Sequence, residues 1–166
     1  MKKILAIVGV LGLMAALAMP MAALAAESDT TEVSGTVAAA IEVTAPAPAS
    51  LGSMDIGDNE LAAPVTVAVN CTSLSWTLGA ADMRVSPVSA GHMDDNTTAL
   101  TNALKIRGGD QSSYAALSGS DVLLEDTGAT TAGQTDISDV NFQQTVEYAD
   151  QVGTYSIVIT FTGTLL

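Results

Sequence analysis

The chain has 166 residues, with 18 acidic against 5 basic side chains and a formal net charge of −13. So negative a surface repels phosphate backbones and anionic lipid headgroups, which argues against nucleic acid as a partner. A single cysteine, Cys71, excludes a disulfide framework within one chain. In chain order, the first element is a secretory signal. Lys2 and Lys3 give a positive start, Ile4 to Met19 is apolar, Pro20 breaks the run, and Ala23-Leu24-Ala25 supplies the small-x-small cleavage pattern. Residues 1–26 are therefore expected to be removed, leaving a secreted, extracellular protein of the cell surface with no membrane contact. If Pro20 is ignored the apolar stretch extends through Ala26, and an uncleaved anchor is the alternative. Cleavage removes two lysines and no acid, so the mature balance is 3 − 18 = −15.

Residues 27–32 form a polar, flexible leader, and residues 33–166 a single domain. Val33, Val37, Ala39, Ile41 and Val43 fall on odd positions, the period of a half-buried strand, which Ala45-Pro46-Ala47-Pro48 ends. Gly52 to Glu60 reads as turns. Val65, Val67, Val69 and Cys71 make a second odd-numbered face, and Leu74, Trp76 and Leu78 a run on even positions. The switch between them predicts a tight turn or a bulge at Thr72-Ser73. Met83, Val85 and Val88 suggest a weak strand, Gly91 to Thr98 a loop, and Ser112 to Gly119 a helical turn or loop. Val140 to Tyr148 and Tyr155 to Phe161 alternate on either side of the Asp150–Gly153 turn and predict a hairpin. The sum is an all-β fold: an antiparallel sandwich, Ig-like or jelly-roll-like, of seven to eight strands.

Few residues point to chemistry. His92 is the only histidine, and its neighbours Gly91 and Met93 do not resemble a nucleophile elbow. It reads as an exposed loop residue, and no catalytic residue is assigned. Cys71 continues the Val65-Val67-Val69 face and reads as a small buried hydrophobe rather than a reactive thiol. Calcium is the one cation the sequence suggests, since carboxylates gathered in turns offer hard oxygen ligands. The first such group is Asp55, Asp58 and Glu60 with Asn59. Two others are Asp94-Asp95-Asn96 and Asp121 with Glu125-Asp126. The same residues are good turn formers, and no other cofactor is expected. Asn70 and Asn96 head Asn-x-Thr sequons.

Ser75-Trp76-Thr77-Leu78, together with the segment Gly153 to Gly163, resembles the WxL-type secreted cell-surface domain. That family carries one Trp-x-Leu motif mid-chain and a second near the C-terminus. In the second position this chain has Phe161 for the tryptophan and Gly163 for the leucine. The resemblance implies an all-β domain associated with the cell wall without a covalent bond. Trp76 and Leu78 share one strand face, so both enter the core or both meet a partner, with Tyr155 and Phe161 nearby; the core is the favoured place for an indole in so aromatic-poor a chain. The expected function is a non-catalytic surface or wall-associated domain, adhesive or structural, whose partner is a surface polymer or another surface protein. The alternative is a fibre or pilus subunit that self-associates by strand exchange, with Val33 to Val43 as donor.

Overall fold

The computed structural model describes residues 31–126 and 132–166. The signal segment 1–26 and most of the leader fall outside the described residues. The β unit is Thr36–Leu166. It is built of nine strands: β1 (Ile41–Thr44), β2 (Gly57–Glu60), β3 (Val65–Cys71), β4 (Trp76–Ala81), β5 (Lys105–Gly108), β6 (Gln111–Ala116), β7 (Val122–Glu125), β8 (Gly133–Val146) and β9 (Thr160–Leu165). All pairings are antiparallel. No described residue is helical, so no described helix is long and apolar enough to cross a membrane. The all-β sandwich is as expected, with one strand more than the upper count.

The larger sheet runs β1-β3-β8-β5-β6, with β2 also on β8; the smaller runs β7-β4-β9. β8 organises the larger sheet. Its first half pairs β3 and its last four residues pair β2, while Asn141–Gln143 pair β5 on the opposite edge. Between the Glu60↔Gln143 and Val65↔Val140 pairs, four residues of the β2–β3 side, 61–64, face two of β8. Pro64, with no N–H to give a ladder, sits in that interruption.

The facing sides of the two sheets make the core. Val67 and Val69 of β3, Ile106 of β5 and Val140 and Phe142 of β8 meet Trp76 and Leu78 of β4 and Leu124 of β7. Burying each such side chain is worth about 1.5–3 kcal/mol. The layers also close at their flanks. A Cβ on Gly163 of β9 would lie 2.7 Å from Val43 and 2.8 Å from Ile41 of β1, so only a glycine lets β1 and β9 approach this closely. On the other flank the Gly108-Gly109 turn meets β7, where the Asp110 N–H donates to the Leu124 carbonyl at 2.8 Å.

Several elements differ from expectation. The predicted Val33–Val43 strand begins only at Ile41, and Val33 and Val37 are 92% and 84% exposed. Ile41 pairs with Cys71, the last residue of β3, and among the described residues before it only Ala38 and Ala40 are held, by bonds with Thr72. The 52–60 turn region contains strand β2, because β8 is long enough to offer it an edge. Met83, Val85 and Val88 are exposed and form no strand. Residues 111–116 are strand β6 rather than a helical turn. The switch of apolar parity at Thr72-Ser73 carries the chain from one sheet to the other. The predicted terminal hairpin is not formed. β8 and β9 lie in different sheets, β9 pairs β4, and the segment between them crosses the end of the sandwich.

Candidate functional site

Three groups of side chains stand out, and the most buried is ionic. Arg84 follows the end of β4. Its guanidinium gives two bonds of 2.8 Å to Asp82, one of 2.8 Å to Asp94 and one of 2.8 Å to the His92 carbonyl. Both carboxylates are almost fully buried. Asp82 also accepts the Gly91 N–H at 2.8 Å, and Asp94 accepts that of Asn96 at 3.1 Å. Gly91 has φ 82°, and a Cβ there would sit 2.0 Å from the Leu117 carbonyl oxygen. The Arg84 side-chain bond holds the Asp82 carboxyl below its ordinary value against the opposing effect of burial, and Asp82 in turn raises Arg84. The cluster ties the loop after β4 to the sandwich. His92 belongs to the same loop, half-buried rather than exposed, with its Nδ1 2.7 Å from the Leu100 carbonyl; facing that acceptor, Nδ1 carries the proton and donates.

The second group covers the outer face of the larger sheet. Lys105 and Arg107 alternate with the core residue Ile106, so both point away from the core. Across the ladder they stand opposite Gln143 and Asn141 of β8. Lys105 Nζ lies 3.4 Å from both Gln143 Oε1 and Thr145 Oγ1. Gln143 donates to Glu60 at 3.0 Å, and Thr145 donates to Asp58 at 2.5 Å. Two of the three residues expected to bind calcium thus answer a cation of the protein itself, Lys105, through an amide and a hydroxyl. Asp55 stands apart from them, in a turn held by bonds between its backbone and the Asn59 side chain. Asp94 belongs to Arg84, and Asp95 accepts from Thr97 and Thr98, bonds that lower its pKa. Among the described residues no three His, Cys, Asp or Glu side chains are placed to share a metal ion.

Arg107 differs from Lys105. Its guanidinium lies over the Tyr114 ring of β6, 5.0 Å from the centroid. Its Nε and the Tyr114 hydroxyl are both buried without a hydrogen-bond partner among the described residues. In the sequence Arg107 stands out only as a charge, and the Tyr114 segment reads as a helical turn or loop. The apolar residue between two cations in Lys105-Ile106-Arg107 was the available signal for an outward-facing basic pair.

The third group is a cleft of about 750 Å³ at the end of the sandwich. Residues 45–56 form one wall and residues 150–157 another, with Leu104 and Phe142 among the lining side chains. Tyr155 and Phe161, assigned to a partner face, both line it. Their companions Trp76 and Leu78 do not, being fully buried in the core; the face of β4 that carries them is covered by the other sheet. The register nevertheless sets the two motif segments side by side, with Leu78 opposite Gly163 and Ala80 opposite Phe161. The Tyr155 hydroxyl donates to the Gln151 carbonyl at 2.8 Å, and loss of solvent together with the charges of Asp95 and Asp150 raises its pKa. Cys71 is buried, as expected for a core residue. Asn70 lies within β3, and Asn96 is exposed with φ 73°. No family model matches the chain, and no curated protein matches it.

Proposed function

We propose that the protein is an exported, non-catalytic domain of the cell surface or wall that holds a surface polymer or another surface protein. The observation that carries this reading is the outer face of the larger sheet. There Arg107, in a chain with 18 acidic residues, lies on Tyr114 and, among the described residues, takes part in no ion pair. Other ionisable groups are occupied in holding the fold: Arg84 by two aspartates, His92 by a backbone carbonyl, Asp58 and Glu60 by their donors on β8. The signal pattern of residues 1–26 and the resemblance at Trp76-Thr77-Leu78 support a place at the cell surface. Fractionation of the producing cells tests it. The protein is expected with the envelope and is released by concentrated salt or denaturant; recovery solely from culture fluid refutes the reading.

One observation favours a second reading, the fibre subunit. Val33 and Val37 are exposed, lie in no strand among the described residues and are in phase with the inward residues Ile41 and Val43 of β1, as a donated strand requires. Light scattering and electron microscopy of concentrated protein decide it, since a monodisperse solution without filaments eliminates strand exchange.

A further inference from the structure

We propose that the cleft at the end of the sandwich is the acceptor for a strand donated by a second copy of this chain, with Val33–Ala39 of that copy laid along the free edge of residues 157–159. This rests on the fibre reading and names the surface that receives the strand.

The backbone of the cleft wall selects an extended peptide. Residues 155–159 lead into β9 with Tyr155, Ile157 and Ile159 half-buried and Ser156 and Val158 exposed, and the half-buried three line the cleft. In an extended chain successive residues turn their N–H and C=O to opposite edges. Ser156 exchanges both of its groups with Asp94, in two bonds of 2.9 Å. Those of Ile157 and Ile159 therefore face the other edge, and no backbone bond reaches them among the described residues. β9 continues that edge as the last strand of the smaller sheet, with β4 on its other side. Ile157, Ile159 and Phe161 lean on the core yet are only partly buried. A strand added here would take the free backbone groups and complete the cover of the side chains.

The chain carries a segment that fits. Val33, Gly35, Val37 and Ala39 place apolar or small residues at alternate positions, and Val33 and Val37 are 92% and 84% exposed. No residue from Val33 to Ile41 is charged, in a chain of net charge −13. That suits the cleft, where Asp55, Glu147 and Asp150 are the charged side chains among the described lining residues and would repel an acidic peptide. The donor comes from another copy because of where the chain runs. Ala38 and Ala40 are held by Thr72, just past the end of β3. The cleft lies beyond the other end of that ladder, where residues 45–56 follow β1. Donation from one end into the other joins copies head to tail, which propagates as a filament unless it closes into a ring.

The test is sedimentation of the purified protein over rising concentration in about 1 M sodium chloride, where a screening length of ~3 Å mutes repulsion between acidic copies. Expected is association that grows with concentration, with the amides of Ile157 and Ile159 exchanging at least about tenfold more slowly in the associated state. A synthetic peptide of residues 31–41 dissociates the oligomers and protects the same two amides. Val33→Asp combined with Val37→Asp weakens association at least about tenfold, as when a buried valine is replaced by a charge, and leaves the melting curve of dilute protein unchanged. Ser34→Asp combined with Thr36→Asp adds the same charge to the opposite face of the segment and retains association. Equal loss from both double variants overturns the inference, since association then answers to charge alone. So does a cleft that takes an apolar dye and ignores the peptide. Association that survives Val33→Asp with Val37→Asp, or leaves Ile157 and Ile159 exchanging freely, removes the cleft as acceptor while the fibre reading stands. A monodisperse solution removes both.

Discussion

Arg84 is the residue on which the loop after β4 depends. Two nearly dry carboxylates face it, and removing the guanidinium leaves both charges without a counter-ion. Breaking a buried pair from one side costs about 3–5 kcal/mol, far more than an exposed pair is worth. Arg84→Ala is therefore expected to lower the unfolding free energy by an amount in that range, read as a lower urea midpoint with an unchanged slope of the transition. Arg84→Lys recovers only part, because an ammonium cannot match both oxygens of Asp82 while reaching Asp94. A loss below about 1 kcal/mol in Arg84→Ala is what a surface pair gives and contradicts the burial. Gly91 supports the same loop from its backbone. Alanine there meets the Leu117 carbonyl at 2.0 Å and sits at φ 82°, so the chain must shift and the Asp82 bond is strained. Gly91→Ala is expected to cost more than about 1 kcal/mol in the same denaturation experiment.

At the scale of strands, alternation was legible wherever one face packs on the core. β3 and β4 read directly from Val67-Val69-Cys71 and Trp76-Leu78, since each inward residue is apolar. β2 and β6 did not. Gly57-Asp58-Asn59-Glu60 holds no apolar residue and is a strand because β8 offers it an edge, a long-range fact that no local pattern carries. The false hairpin has the same origin. Two alternating segments joined by a turn signal look like neighbours, yet Asp150 accepts from Thr101, and Ser156 bonds Asp94 in both directions, which draws the connection across the sandwich end. The candidate site was hidden for this reason too: Arg107, Tyr114 and Asn141 share a face only once β5 has paired with both β6 and β8. Alternation also misled at the start of the domain, where Val33 and Val37 have the period of a strand yet are exposed and lie in no strand among the described residues. Deleting residues 31–37 is accordingly expected to shift stability by no more than about 0.5 kcal/mol, the size of a surface change, when followed by thermal melting. A larger loss means that this segment packs on the domain.

For the whole molecule the question is how a domain with so few cations holds together, and acid and salt act on it in opposite ways. At neutral pH the excess of carboxylates repels, and salt relieves that by shortening the screening length from ~30 Å at 0.01 M to ~3 Å at 1 M. The melting temperature is therefore expected to rise with sodium chloride at pH 7. Lowering the pH also removes repulsion, but only until the carboxylates that bind the fold take up protons. Asp82, Asp95, Asp110 and Asp150 all lie below the ordinary value of 3.8 in the folded state. For Asp82 the cause is the Arg84 bond; for Asp95, the Thr97 hydroxyl; for Asp110, the Asp126 N–H. At Asp150 burial works the other way and is outweighed by bonds from Glu147 and Thr101. A lowered folded value means that the unfolded chain takes up the proton first. Stability from these groups is complete above the ordinary value and drains away as pH falls through the lowered folded values. The expected profile is flat or gently rising from pH 7 towards 4, then steeply falling. Asp82→Asn starts less stable, since it takes one charge from Arg84, and its acid limb is shallower by at most about one proton, ~1.4 kcal/mol per pH unit. Urea titrations of both proteins between pH 2 and 7 measure that slope, and equal slopes would mean that Asp82 titrates alike in the folded and unfolded chain.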